Sequence, residues 1–71
     1  MTMTTDLLPI TLDEMIAELR REVEMRHRVF PRQVQAKLLK AETADRRIAI
    51  LEALITKLEG ERRARNDASR L

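Results

Sequence analysis

Cysteine, tryptophan and tyrosine are absent from this chain of 71 residues, which has one phenylalanine, one glycine, two prolines and one histidine. Without cysteine, no disulfide can form and no thiolate nucleophile is available. A Cys/His zinc site is excluded because His27 is the only ligand of that kind. The shortage of turn residues and of β-branched runs favours helices over sheets. A chain this short usually needs a source of stability beyond its own core, such as a disulfide, a metal ion or an oligomer contact. With the first two excluded, self-association or docking on a partner remains.

Long apolar runs are also missing. No segment approaches the roughly 20 apolar residues that cross a bilayer, so we expect no membrane partner. The first ten residues carry Asp6 and no basic residue, so we expect no signal peptide and a cytoplasmic location. Residues 1–10 are predicted to form a flexible lead. The net charge of +2 is too mild to indicate or exclude a nucleic-acid partner.

The first helix is predicted over about residues 11–36. Thr11 and Glu14 have the spacing of a capping box, in which each side chain satisfies the other residue's backbone amide. An apolar stripe with helical spacing follows, and it consists of Leu12, Ile16, Leu19, Val23 and, beyond Arg26, Phe30. Pro31 predicts a kink or a break in this helix, because proline lacks an amide hydrogen and restricts the residue before it.

A chain reversal is expected between Ala36 and Lys40, although no glycine or asparagine marks it. The competing interpretation is one long kinked helix without a reversal. The second helix is predicted over about residues 40–59, with Gly60 as the residue that follows its last turn. Its stripe is Ala44, Ile48, Leu51, Ile55 and Leu58, widened on one side by Ile50 and Leu54. Residues 61–71 are predicted to be a basic, frayed tail.

These features predict an all-α fold, an antiparallel helical hairpin spanning residues 11–60. The second stripe is wider than contact with one sister helix requires. We therefore expect the hairpins to assemble into a helical bundle, with a homodimer favoured. The residues expected in the core or the oligomer contact are Leu12, Ile16, Leu19, Val23, Phe30, Ala44, Ile48, Leu51, Leu54, Ile55 and Leu58.

Two features allow a functional interpretation beside a structural one. Phe30, followed by Pro31, is either an aromatic core residue at a helix kink or an anchor for a partner.

Five basic residues without an intervening acid are expected around the closed end of the hairpin, and they are Arg26, Arg28, Arg32, Lys37 and Lys40. They could contact phosphates or an acidic protein, or form an ordinary solvated surface. The aromatic residues that stack on bases in single-strand binders are missing.

Catalysis has little support in the sequence. His27 lies one helical turn after Glu24 and next to Arg28, which is typical of a surface residue. There is no glycine-rich phosphate loop and no paired carboxylate in a plausible pocket. We therefore expect a non-enzymatic protein with no cofactor and no metal.

Two motifs resemble those of a group of small, uncharacterised phage and prophage proteins. Their pattern, roughly R-x-R-V-[FY]-P-x-x-V and then A-D-R-x-I-A, corresponds here to residues 26–34 and 44–49, and the similarity covers about residues 12–55. Members often have a glycine and a threonine in the connector, where this chain has Lys37 and Lys40. The resemblance implies a phage or prophage origin and a bacterial cytoplasm, but no activity.

Three functional hypotheses follow. The first is a phage-type interaction protein that binds a host or phage protein as a regulator or inhibitor. The second is an accessory nucleic-acid-binding protein that uses the basic end of the hairpin. The third is a structural homo-oligomer.

Overall fold

Two helices make up the fold in a computed structural model that describes residues 9–69: α1, Leu12–Gln35, and α2, Ala41–Ser69. They pack against each other and run antiparallel, since Arg20 and Asp13 of α1 form ion pairs with Glu59 and Arg62 of α2. No strand occurs between residues 9 and 69. The predicted antiparallel helical hairpin is confirmed. Most of the predicted N-terminal lead, residues 1–8, lies outside the described residues.

Helix α1 begins where the capping box predicts. The amide of Glu14 donates to Oγ1 of Thr11 at 3.1 Å, and the amide of Thr11 donates to Oε1 of Glu14 at 2.9 Å. Two backbone donors that a helix start leaves without partners are thereby satisfied. Asp13 and Glu14 also place negative charge at the positive end of the helix dipole.

Pro31 does not break α1, which continues through it to Gln35. Proline cannot donate to the carbonyl of His27, one turn earlier, and this loss disfavours the helix. Packing on both sides of the proline compensates, because Phe30 is buried and Val34 is half-buried in the seam between the helices. The alternative of a separate segment that starts at Pro31 is therefore wrong.

The chain reverses between Ala36 and Lys40, and the alternative of one long kinked helix is wrong. The amide of Leu38 donates to the carbonyl of Gln33 at 2.8 Å, and the amide of Lys37 donates to that of Val34 at 3.0 Å. This pair of bonds is the Schellman motif, which normally has glycine at the position of Lys37. Lys37 itself adopts the left-handed conformation, with φ of 61°. Glycine is therefore not required for the turn, but its absence leaves a strained lysine there.

Helix α2 does not end at Glu59. It continues through Gly60 to Ser69, so the predicted tail is helical over residues 61–69, and Arg70 and Leu71 lie outside the described residues. Interior glycine costs about 1 kcal/mol relative to alanine. Contacts beyond it offset this cost: Arg62 reaches Asp13 of α1 at 2.7 Å, and Arg65 pairs with Glu61 at 3.3 Å.

Replacing Lys37 with glycine is expected to stabilise the hairpin. The left-handed conformation costs a residue with a Cβ roughly 1–2 kcal/mol, and glycine avoids this cost. Glycine loses more conformational entropy on folding, however, and this loss lowers the gain by about 0.5–1 kcal/mol. We expect a net gain of about 0.5 kcal/mol in the free energy of unfolding, measured by urea titration at fixed protein concentration. Lys37→Ala is the matched control, because it removes the same charge and keeps the strain. Equal stability of the two variants would contradict the assignment of strain to Lys37.

Replacing Gly60 with alanine is expected to raise the free energy of unfolding by about 1 kcal/mol. A Cβ at Gly60 would meet no atom within 4 Å, so the gain in helix propensity comes without a clash. Ala64→Gly, at an exposed position of the same helix, is the reverse control and should lose a similar amount. If Gly60 instead ended the helix in a left-handed conformation, Gly60→Ala would destabilise the protein in the same urea titration.

Candidate interaction surfaces

The seam between the helices holds a thin core. Only Ile16, Phe30, Ala44 and Ile55 are buried among residues 9–69. The other stripe residues predicted for the core are half-buried, except Leu54, which is exposed; the half-buried ones are Leu12, Leu19, Val23, Ile48, Leu51 and Leu58. Each helix therefore presents an apolar stripe of which only the central line is covered.

The ion pair of Arg20 with Glu59 indicates how the two helices are aligned, and His27 and Glu52, which line the same depressions, have the same alignment. The pair of Arg62 with Asp13, at 2.7 Å, departs from it by four residues, or ~6 Å along the helix, which the long arginine side chain spans. Since the helices are antiparallel and both rise about 1.5 Å per residue, moving five residues forward from Arg20 on α1 corresponds to moving five residues back from Glu59 on α2. Met25 therefore lies level with Leu54, and Val29 lies level with Ile50.

Those four residues form the centre of an exposed apolar surface. The exposed fractions are 43% for Met25, 39% for Val29, 55% for Ile50 and 41% for Leu54. Helical spacing places them on the same side of the seam as the half-buried leucines 19, 51 and 58, with exposed Met15 nearer the open end. We call this surface, formed by Met15, Met25, Val29, Ile50 and Leu54, the apolar flank.

The opposite side of the seam is grooved and has both apolar and charged lining residues. Two open depressions of about 690 and 720 Å³ meet there and share His27 and Glu52. The first, near the closed end, has an apolar floor that includes Phe30 and Ile48. The second is lined mainly by charged side chains, including Arg20 and Glu59. Within residues 9–69, no group of three or more His, Asp or Glu residues is placed to hold a metal ion.

The five basic residues predicted at the closed end do not share one environment. Arg26 is half-buried: it pairs with Glu22 at 2.9 Å, and its guanidinium carbon lies 5.5 Å from the centre of the Phe30 ring. Its Nε is enclosed and has no hydrogen-bond partner. Arg26 thus covers the end of the core, and a cation–π contact of this kind contributes about 0.5–1 kcal/mol.

The other four, which we call the basic tip, are exposed at the closed end: Arg28, Arg32, Lys37 and Lys40. None of them forms an ion pair within the described part of the chain. Arg46 and Arg47, in the first turns of α2, are exposed near the same end. Glu42 and Arg46 have the spacing of a helical ion pair, but they form none in the described residues. The basic residues of the last turns of α2, Arg62, Arg63 and Arg65, are partly neutralised, because Arg62 pairs with Asp13 and Arg65 with Glu61.

Comparison of the chain with protein-family models, with curated proteins and with solved structures found no match. Neither described helix is long and apolar enough to cross a membrane.

Proposed function

We propose that this chain is a small, non-enzymatic interaction protein that works as a homodimer through its apolar flank. In this form it binds a host or phage protein in the bacterial cytoplasm and regulates or inhibits it. The observation that carries the proposal is the apolar flank, which stays exposed on a hairpin with only four buried side chains in its described residues. The resemblance of the motifs around Phe30 and Ala44 to small phage and prophage proteins supports the cellular setting.

The size of the side of the hairpin that contains the apolar flank supports a second copy as its occupant. Helix α1 has 24 residues, which corresponds to a length of ~36 Å, and two helices side by side are roughly 20 Å wide. This whole side, with the apolar flank at its centre and charged residues around it, therefore offers an area of about 700 Å², close to the roughly 800 Å² that each partner buries in a stable complex. A four-helix bundle formed in this way would cover the outer side of both stripes.

The shape of the grooved side supports a role other than catalysis. Active sites exclude water and hold a base close to the group from which it removes a proton. His27, the single imidazole, is exposed, and the depressions beside it are bounded by two helices only. Binding, which needs neither enclosure nor a nucleophile, suits this surface better.

Leu54→Glu is expected to dissociate the dimer. Leu54 lies at the centre of the apolar flank and is 41% exposed in the hairpin. Burying this remaining part contributes about 0.6–1.2 kcal/mol of the roughly 1.5–3 kcal/mol for a whole leucine side chain. Both copies of Leu54 lose this contribution, and the substitution also places a charge in the contact. We expect the dissociation constant to rise at least tenfold, as measured by analytical ultracentrifugation.

Ala49→Glu is the matched control for this experiment. It adds the same charge to α2 at an exposed position that is not three or four residues from Ile50 or Leu54 and therefore faces away from the flank, so the dimer should persist. Removing residues 1–8 should also leave the dimer intact, because a second copy and not this segment covers the flank. A monomeric wild-type protein, or equal dissociation constants for the Leu54 and Ala49 variants, would contradict the proposal.

Nucleic-acid binding by the basic tip is a second candidate function. The observation that favours it is the set of four exposed cations without an ion pair in the described residues, with Arg46 and Arg47 nearby. Lys and Arg side chains of this kind neutralise phosphates and release counterions, so the logarithm of the affinity falls with the logarithm of the salt concentration.

The double variant Arg28→Ala/Lys40→Ala is expected to weaken binding to a DNA or RNA duplex of about 20 base pairs. The slope of log affinity against log salt concentration should become shallower by the amount that roughly two phosphate contacts contribute. Fluorescence anisotropy at a series of salt concentrations measures both quantities. Lys57→Ala/Arg63→Ala removes the same charge away from the closed end and should change binding less. If the wild-type protein does not bind either duplex at about 50 mM salt, the second candidate is wrong.

A further inference from the structure

We infer that the two copies pack flank to flank with their closed ends at opposite ends of the dimer, so that α1 crosses α1 of the second copy and α2 crosses α2. This inference rests on the proposed homodimer and adds the orientation of its subunits. It follows from the positions of the charged residues that border the apolar flank.

Two two-fold symmetric arrangements bring two such flanks together with the helices of both copies aligned. In one, the two-fold axis runs along the helices, the closed ends lie together and α1 faces α2 of the second copy. In the other, which we call the exchanged arrangement, the axis runs across the helices and the closed ends lie at opposite ends of the dimer. Each helix then faces the same helix of the second copy. Every neighbouring pair of helices is antiparallel in both arrangements, so helix dipoles do not choose between them.

The apolar flank fixes where the axis of the exchanged arrangement passes. Met25 and Leu54 are level with each other across the seam and lie near the middle of the apolar surface. An axis at this level places residue 18 of α1 opposite residue 32 of the second copy, and residue 47 of α2 opposite residue 61. All four of these positions are exposed. Residue 18 lies between Met15 and Met25 on the face of α1 that contains the flank, and the other three border the apolar centre.

The residues at these positions have opposite charges in the exchanged arrangement. Glu18 meets Arg32 of the second copy, and Arg47 meets Glu61 of the second copy. Symmetry repeats each contact, so four complementary contacts border the apolar centre. The existing pairs of Glu18 with Arg21 and of Glu61 with Arg65 are exposed helical pairs, which are weak and can share their carboxylates with a second cation.

The same positions have like charges when the closed ends lie together. Residue 18 of α1 is level with residue 61 of α2, so Glu18 would face Glu61 of the second copy. Arg32 would likewise face Arg47. Glu14 with Arg65 and Glu22 with Lys57 would have opposite charges there, but Glu14 belongs to the capping box and Glu22 already pairs with Arg26. The like charges at the other two contacts therefore disfavour that arrangement.

The charge of the whole hairpin favours the same orientation. Between residues 12 and 25 there are five acidic and two basic residues, whereas between residues 28 and 47 there are six basic and two acidic residues. Exchanged ends bring the basic closed end of one copy to the acidic first half of α1 in the other. Closed ends placed together would concentrate the twelve basic residues of both copies at one end.

Cross-linking of single-cysteine variants tests the orientation directly, because the natural chain has no cysteine. Glu18→Cys mixed with Arg32→Cys and treated with a short bismaleimide is expected to give a covalent heterodimer by mass spectrometry. Glu18→Cys mixed with Glu61→Cys is the matched control and should give much less. Preferential cross-linking of the second mixture in a protein that sedimentation shows to be dimeric would overturn the orientation and leave the proposed homodimer standing. A monomeric wild-type protein would overturn both.

Reversing the charge of Glu18 provides an independent test, because the two arrangements predict opposite changes in the dissociation constant. Glu18→Arg places Arg opposite Arg32 when the ends are exchanged, so the dissociation constant should rise about three- to tenfold at low salt, and Glu18→Arg/Arg32→Glu should restore it. With the closed ends together, Glu18→Arg would instead face Glu61 and tighten the dimer. A tighter dimer for Glu18→Arg would therefore overturn the inference.

Discussion

The number of helices limits everything else in this protein. Two helices have a single seam between them, and a single seam can bury only the central line of each apolar stripe. Ile16, Phe30, Ala44 and Ile55 occupy that line, while the neighbouring stripe residues stay half-buried or exposed. A chain without cysteine has no disulfide to compensate for so small a core. The apolar flank is the consequence of this limit, and the proposed second copy would enlarge the core without a longer chain by covering it.

The parts of the fold that depend on local chemistry could be predicted from the sequence. The capping box of Thr11 and Glu14 determines the start of α1, and the three- and four-residue spacing of aliphatic residues predicts both helices. The parts in which the conformational preference of a residue is opposed by tertiary contacts could not be predicted from the sequence. Gly60 favours a helix end, but the ion pairs of Arg62 and Arg65 carry α2 past it. Lys37 disfavours a left-handed turn, but the hydrogen bonds of the turn hold it there.

The candidate surfaces show the same division. The basic residues near the closed end are evident in the sequence, yet only the structure separates Arg26 from the others. Its partners, Glu22 and Phe30, lie four residues away on either side, and the spacing alone does not reveal that its Nε is enclosed. Ile50 and Leu54 widen the second stripe in the sequence, but that Met25 and Val29 lie beside them requires the alignment that Arg20 and Glu59 set.

The claim on which the account depends is that a second copy stabilises the hairpin by covering the apolar flank. Circular dichroism melting of the wild-type protein from about 5 to 500 μM tests it most directly, because association with the folded state makes the midpoint depend on concentration. We expect the Tm to rise steadily over this range, and the mass of the folded species to be twice the chain mass of 8.3 kDa. A Tm that does not change with concentration, together with a folded species of 8.3 kDa, would contradict the account.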